Sequence, residues 1–174
     1  RLDGSLMEDC RALSFLVCQS APERIKYELD HIITATGPDA ALQVLQSTGL
    51  LFHIFPELMR LRELDERERF DLKTLGHTID GFAYLDRFGM MANLSREEVR
   101  NVGYALLFHD LGKADTFLFD EDRRVVHFYH HEKASCDLAH EIMVRLRFST
   151  HDMRVIEFLI INHMRIFLLA SSGS

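Results

Sequence analysis

The sequence contains little proline, which breaks helices, and little cysteine, which can join distant segments by disulfide bonds. It has only three prolines in 174 residues, and proline is disfavoured in helix interiors because it lacks an amide hydrogen. This scarcity favours an all-α fold. The three cysteines, Cys10, Cys18 and Cys136, contain no CxxC pair and indicate no disulfide framework, so we expect reduced thiols in a cytoplasmic protein.

The sequence also lacks an apolar segment suited to a membrane. The most apolar stretch, residues 155–170, is interrupted by polar and charged residues: Glu157, Asn162, His163 and Arg165. Such a stretch is typical of a buried amphipathic helix rather than a membrane span, which needs about 20 apolar residues. The N-terminus carries acidic residues where a signal peptide has a basic segment and an apolar run. We therefore expect a soluble protein with no membrane partner.

An excess of positive charge is missing as well. The formal net charge is −7, which argues against binding nucleic acid by overall electrostatic attraction and leaves a local basic patch as the alternative. Glycine-rich phosphate and dinucleotide loops are absent, and no serine or cysteine stands near a base in a way that indicates covalent catalysis. With 47% hydrophobic residues, the chain can nevertheless form one domain with a real core, or a domain with a helical extension.

The most informative motif is the pair His109-Asp110, which ends an apolar segment and precedes Gly112-Lys113. An imidazole and a carboxylate at the end of a helix can bind one divalent cation if the chain turns both side chains to the same point. Gly112 permits such a change of direction. The alternative is a buried histidine beside a helix-ending aspartate. Lys113 could contact a phosphate as a point charge, or could be a cation favoured near a helix C-terminus.

Other histidines supply further candidate ligands. His77 lies upstream of the pair, and three more lie downstream: His127, His130 and His131. His163, near the end of the chain, is compatible either with hydrogen bonding in the core or with phosphate contact. This supply of nitrogen ligands beside a carboxylate favours a metal site that accepts Mn, Ni, Mg, Co, Fe or Zn.

These motifs resemble a known family. The order His77, His109-Asp110, Gly112-Lys113 resembles the HD superfamily of metal-dependent phosphohydrolases. The surrounding segments are similar to the region that joins the body of bacterial tRNA nucleotidyltransferases (CCA-adding enzymes) and poly(A) polymerases to an HD domain: 23–29, 41–42, 49–51, 55–58, 128–132 and 145–149. The resemblance covers roughly residues 20 to 165.

The resemblance implies a set of site residues. His77, His109 and Asp110 would bind the metal ion, and Asp110, Lys113 and His131 would carry the reaction. Substrate contacts would come from Lys113, His131 and two further histidines, His130 and His163. HD domains usually add a later aspartate ligand, but no aspartate follows Asp152 in this sequence. The resemblance therefore predicts a site whose last ligand is missing.

Helical patterns cover most of the chain. The predicted helices are Ile25–Ile33 with Pro22 in the first turn, Pro38–Thr48, Phe70–Phe88, Ser95–His109, His131–Phe148 and a last helix from Asp152. Residues 50–58 are predicted to be a short irregular segment, and residues 117–129 two extended pieces around an exposed turn. The charged run 60–69 suggests a boundary between two parts. We therefore expect an N-terminal helical arm, residues 1–64, which resembles the RNA-binding linker of the family, and an HD helical bundle, residues 65–174.

Three functions agree with the sequence. The first is an HD domain from the tRNA nucleotidyltransferase family, with metal-dependent hydrolysis of phosphomonoesters or 2′,3′-cyclic phosphodiesters on a nucleotide or an RNA 3′ end. The second is a stand-alone HD nucleotidase or phosphodiesterase. The third is a non-catalytic helical module that holds tRNA. The polymerising head of the family is not found in the sequence, and we expect residues 171–174 to be a tail or a truncation.

Overall fold

The computed structural model describes residues 3–67 and 70–171, and in this part of the chain helices predominate, with one β-hairpin. Its elements are α1 Gly4–Leu13, a 3₁₀-helix Ser14–Gln19, α2 Pro22–Ile33, α3 Pro38–Ser47, α4 Leu50–Ile54, α5 Glu57–Asp65, α6 Thr74–Met91, α7 Arg96–Phe108, α8 Lys113–Thr116, β1 Phe117–Asp120, β2 Val125–Phe128, α9 His131–Arg145 and α10 Thr150–Ser171. The predicted all-α fold is confirmed. None of the described helices combines the length and the apolar character needed to cross a bilayer.

Local sequence signals account for several helix starts. The Ser95 hydroxyl accepts from the Glu98 amide at 3.2 Å, and the Glu98 carboxylate accepts from the Ser95 amide at 2.8 Å. This reciprocal pair satisfies two amides that have no partner within α7, so the helix begins as predicted. Pro22 and Pro38 occupy first-turn positions in α2 and α3. Gly49, with φ of 81°, turns the chain between α3 and α4 in a conformation that favours glycine.

The segment 50–58 differs from its prediction. It is not irregular: it forms α4 and the start of α5, with a break at Phe55 and Pro56. Short helices gain little stability from their own hydrogen bonds, and these are held by burial of Leu51, Phe55 and Leu58, none of which is exposed to solvent. Likewise the predicted charged boundary lies partly within α5, and the predicted helix 70–88 begins later, at Thr74, and ends at Met91.

One cluster of buried apolar side chains contains residues from both predicted parts of the chain. Leu29 and Phe55, from the predicted arm, belong to the same core as Phe82, Phe108 and Ile160. The division at residue 64 stays a prediction. Helix α10 packs against both α9 and α7.

A polar network ties α2, α7 and α10 together beside this core. Asp30 of α2 accepts from the Tyr104 hydroxyl at 2.8 Å and from the Lys26 ammonium at 2.7 Å. Arg100 of α7 donates to the Asp152 carboxylate of α10 at 2.5 Å, and this carboxylate is almost fully buried. Burial, together with the negative charge of Asp30, raises the pKa of Tyr104 well above its ordinary value, so this residue stays a neutral donor. The network fixes the position of α10 relative to α7.

A candidate metal centre

Asp110 lies in the turn between α7 and α8, and its side chain is only 2% exposed. The turn packs directly against the first two turns of α9. A β-carbon on Gly112 would lie 2.5 Å from the His131 carbonyl oxygen and 2.6 Å from the Ser135 amide nitrogen, so only glycine fits. The Gly112 amide donates to the buried Ser135 hydroxyl at 2.8 Å. Helix α9 is thereby held against the turn that carries Asp110.

Three histidines surround this carboxylate, and all three rings are oriented in the same way. Nδ1 of His109 lies 2.8 Å from the Leu106 carbonyl oxygen. The same contact, to the carbonyl three residues earlier, measures 2.8 Å for His131 and 2.6 Å for His163. A carbonyl oxygen only accepts hydrogen bonds, so each Nδ1 carries a hydrogen. In the neutral imidazole, Nε2 of His131 and Nε2 of His163 then each have a free lone pair, which is the state that binds a metal ion.

The Nε2 atoms point towards one another and towards Asp110. Those of His131 and His163 lie 3.1 Å apart. The Asp110 carboxylate lies 3.5 Å from Nε2 of His131 and 3.2 Å from Nε2 of His109. Candidate ligand atoms of Asp110, His131 and His163 all lie within 4.8 Å of one another. Two neutral acceptors at 3.1 Å repel each other unless a proton or a metal cation lies between them, so this donor set fits a divalent cation.

Two nearby groups keep Asp110 ionised. Burial by itself raises the pKa of the carboxyl, but hydrogen bonding and positive charge from His109, together with the Lys113 ammonium at 2.7 Å, hold the pKa well below its usual range. Burial lowers the pKa of His163, and the neighbouring His109 and His131 lower it further, so this imidazole is neutral at physiological pH. An ionised carboxylate beside a neutral imidazole is the protonation state that a metal ion requires.

The remaining predicted site residues lie further out. The ring of His77, on α6, is 6.2 Å from the ring of His109, centroid to centroid, and it lines an open cavity with Lys73 and Asp80. His130 precedes α9 in a left-handed conformation with φ of 60°, and 86% of its side chain is exposed. His130 therefore points to solvent, whereas the adjacent His131 points into the cluster. His127 stacks on Tyr129 instead.

The structure thus brings together a different set of candidate metal ligands from the set predicted from the sequence. His109, Asp110, Lys113, His131 and His163 lie together, but the tightest group in the described part of the chain pairs Asp110 with two predicted substrate contacts rather than with His77. Sequence reasoning did not identify Ser135 at all. A signal for it exists, because a small hydroxyl residue four positions after His131 lies on the same face of α9.

Residues 1–61 match a family model described as "Probable RNA and SrmB- binding site of polymerase A". The chain is 34% identical over 121 residues to a multifunctional CCA protein of Xanthomonas campestris, a match that covers 70% of this chain and 27% of that protein. These comparisons support the tRNA nucleotidyltransferase family.

Two further relatives carry tRNA nucleotidyltransferase names. A CC-adding tRNA nucleotidyltransferase of Thermus thermophilus is 30% identical over 144 residues, covering 83% of this chain and 32% of the relative. An A-adding tRNA nucleotidyltransferase of Deinococcus radiodurans is 28% identical over 144 residues, covering 82% and 31%. The chain therefore spans about a third or less of each of these relatives. The match to the RNA-binding family model ends before α6, so it does not include the histidine–aspartate cluster.

Proposed function

We propose that this chain is the RNA-binding and HD-type part of a tRNA nucleotidyltransferase-like protein, and that its cluster is a metal-dependent phosphohydrolase site. The observation that carries the proposal is the convergence of Nε2 lone pairs from His131 and His163 on the ionised carboxylate of Asp110. The substrates would be phosphomonoesters or 2′,3′-cyclic phosphodiesters, as at an RNA 3′ end. RNA binding is supported by the family model that matches residues 1–61 and by the tRNA nucleotidyltransferase relatives.

The residues that would hold the metal ion are Asp110, His131 and His163, with His109 beside them and His77 as the ligand that the HD resemblance adds. A divalent ion bound there would polarise a phosphoryl oxygen and stabilise the charge that develops on it. His163 comes from α10. Its position against Asp110 supports the proposal that it is one of the metal ligands.

Lys113 would bind and orient the substrate phosphate. Its ammonium lies 2.7 Å from the Asp110 carboxylate and 5.5 Å from the centre of the Phe128 ring, and its side chain is partly exposed. The buried Asp110 carboxylate accepts one hydrogen bond from the Lys113 ammonium and holds it in position. The ammonium has three N–H donors, so it can also donate to an anion that enters from the solvent side. The half-buried His109, whose Nε2 lies 3.2 Å from the Asp110 carboxylate, would shield one side of that carboxylate from water.

A second function is favoured by a separate observation. The match to the RNA-binding family model covers only the N-terminal residues 1–61, away from the histidine–aspartate cluster. A module that only holds RNA is compatible with this match and requires neither metal nor hydrolysis. The two functions differ in their dependence on Asp110, because hydrolysis needs this carboxylate and RNA binding through the N-terminal helices does not.

The test is hydrolysis of 2′,3′-cyclic AMP and of a generic phosphodiester with Mn, Ni, Mg or EDTA. Wild type would be compared with Asp110→Ala and with Asp122→Ala, a matched control in the exposed hairpin turn. Metal content of the purified protein would be measured alongside. We expect metal retention and turnover in wild type and in Asp122→Ala, and loss of both in Asp110→Ala. Turnover that survives in Asp110→Ala, or no turnover with any metal, would contradict the proposed phosphohydrolase site. The module that only holds RNA would then be the remaining function.

A further inference from the structure

We propose that the open cavity between α2 and the start of α7 binds one unpaired nucleotide of single-stranded RNA. The cavity has a volume of about 340 Å³ and is lined by Tyr27, His31, Thr34, Arg96 and Glu97, among others. It is a different site from the histidine–aspartate cluster. That RNA is the ligand rests on the RNA-binding part of the proposed function.

Tyr27 offers an aromatic ring on which a base can stack, and His31 lies beside it. The two ring centroids lie 4.4 Å apart with their planes tilted by 51°, and Nδ1 of His31 contacts the Tyr27 carbonyl oxygen at 2.8 Å, which holds the imidazole next to the phenol ring. Tyr27 is nevertheless 59% exposed. An aromatic ring that packs beside a second ring and is still open to solvent suits a nucleobase, because stacking on aromatic side chains is the main way that proteins bind unpaired bases.

Arg96 supplies the positive charge at the same cavity. Its Nε donates to the Thr34 hydroxyl at 3.0 Å, and that hydroxyl donates to the Asp30 carbonyl at 2.7 Å, so the guanidinium is fixed in orientation. Within residues 3–67 and 70–171, neither terminal amino group of Arg96 has a hydrogen-bond or ion-pair partner. The neighbouring Arg100 differs, since the Asp152 carboxylate binds it at 2.5 Å. Arg96 is therefore the cation available to a phosphate.

The other groups of the cavity favour a nucleotide over a simple anion. The Glu97 carboxylate is more than half exposed, and its nearest cation is Arg100 at 3.8 Å. A carboxylate repels a second anion, but it accepts hydrogen bonds from the exocyclic amino group of a base. Tyr27, His31 and Thr34 all lie within the segment that matches the RNA-binding family model. A stacking ring, a free guanidinium and an acceptor at one cavity together match the base and phosphate of one nucleotide.

The test measures binding of a fluorescent, unstructured single-stranded RNA to the full chain. Tyr27→Ala is expected to weaken binding by about tenfold, the loss typical of one stacked base, while Tyr27→Phe retains wild-type affinity. Arg96→Ala should weaken binding and flatten its salt dependence. The matched control is Tyr84→Ala, which removes an exposed tyrosine ring from α6. Neither Tyr27→Ala nor Arg96→Ala should change the hydrolysis of 2′,3′-cyclic AMP.

The outcomes separate this site from the proposed function. If wild type binds RNA and Tyr27→Ala binds equally well, or no worse than Tyr84→Ala, the nucleotide site is wrong and the proposed function stands. If wild type binds no RNA, the RNA-binding function fails. The nucleotide site is then tested by itself, by titration with cytidine monophosphate while the NMR signals of the Tyr27 ring are monitored. Shifts in these signals would support a nucleotide site, and their absence would overturn it. A phosphoserine peptide that competes fully with RNA would also overturn it.

Discussion

Nε2 of His131 and Nε2 of His163 lie 3.1 Å apart, while Nδ1 of each ring contacts a backbone carbonyl oxygen three residues earlier. The two carbonyls fix the tautomers, so two lone pairs face each other beside the buried Asp110 carboxylate. A protein could avoid this repulsion by turning either ring, but the contacts to the Phe128 carbonyl of β2 and the Ile160 carbonyl of α10 hold both. A proton or a metal cation between the two nitrogens would remove the repulsion, so the arrangement supports the proposed metal site.

His163→Ala should therefore weaken metal binding. Loss of a group that only orients a ligand costs about 10- to 100-fold in metal affinity, and loss of a ligand itself should cost at least as much. The measurement is isothermal titration with Mn or Ni. His151→Ala is the matched control, because it removes an exposed imidazole from the same helix and should leave the affinity unchanged. Equal affinity in the two variants would exclude His163 as a ligand.

Gly112→Ala should destabilise the fold by about 2 kcal/mol, within the range for overpacking a well-packed site. The new methyl group would meet backbone atoms of α9, which cannot move without moving the whole helix. Gly76→Ala is the control, because its methyl group meets no atom within 4 Å and alanine is the better helix former. Urea denaturation measures both free energies of unfolding. A Gly112→Ala variant as stable as wild type would contradict the close packing of α9 on this turn.

Asp152→Ala should cost about 3 kcal/mol in the free energy of unfolding. The substitution leaves the half-buried Arg100 guanidinium without its closest partner and also removes the acceptor of the Ser149 hydroxyl. By contrast, the exposed Asp122→Ala should change stability by less than about 0.5 kcal/mol. Thermal and urea unfolding of both variants would check this difference. Similar stability of the two would mean that the pair between α7 and α10 contributes nothing.

Cys136 should react with iodoacetamide much more slowly than Cys18. Burial, and the nearby Glu157 and Asp137 carboxylates, raise the pKa of the Cys136 thiol, so at a given pH it has a smaller thiolate fraction. Cys18 is exposed. At pH 8 we expect the two alkylation rates to differ by at least about tenfold. Mass spectrometry of the labelled peptides measures both rates. The difference should disappear in urea, where both thiols are exposed; equal rates in the native protein would show that Cys136 is open to solvent.

Local sequence signals were enough for those elements whose ends are set by nearby residues. The start of α7 follows from Ser95 and Glu98, because a capping box needs only residues within one turn. The helices α4 and α5 could not be found in this way. Their stability comes from Leu51, Phe55 and Leu58 packing on distant parts of the core, which no local pattern reveals.

The same division applies to the site. The sequence by itself determined that an imidazole and a carboxylate stand together at a helix end followed by glycine, and that several histidines are available to join them. It did not determine which histidines join, because side-chain direction depends on the packing of helices far apart in the chain. Only the tertiary structure brings His163 of α10 to Asp110 and turns His131 inward while the adjacent His130 points to solvent. Neighbours in sequence point in different directions, and the distance between ligand atoms decides which of them can share a metal ion.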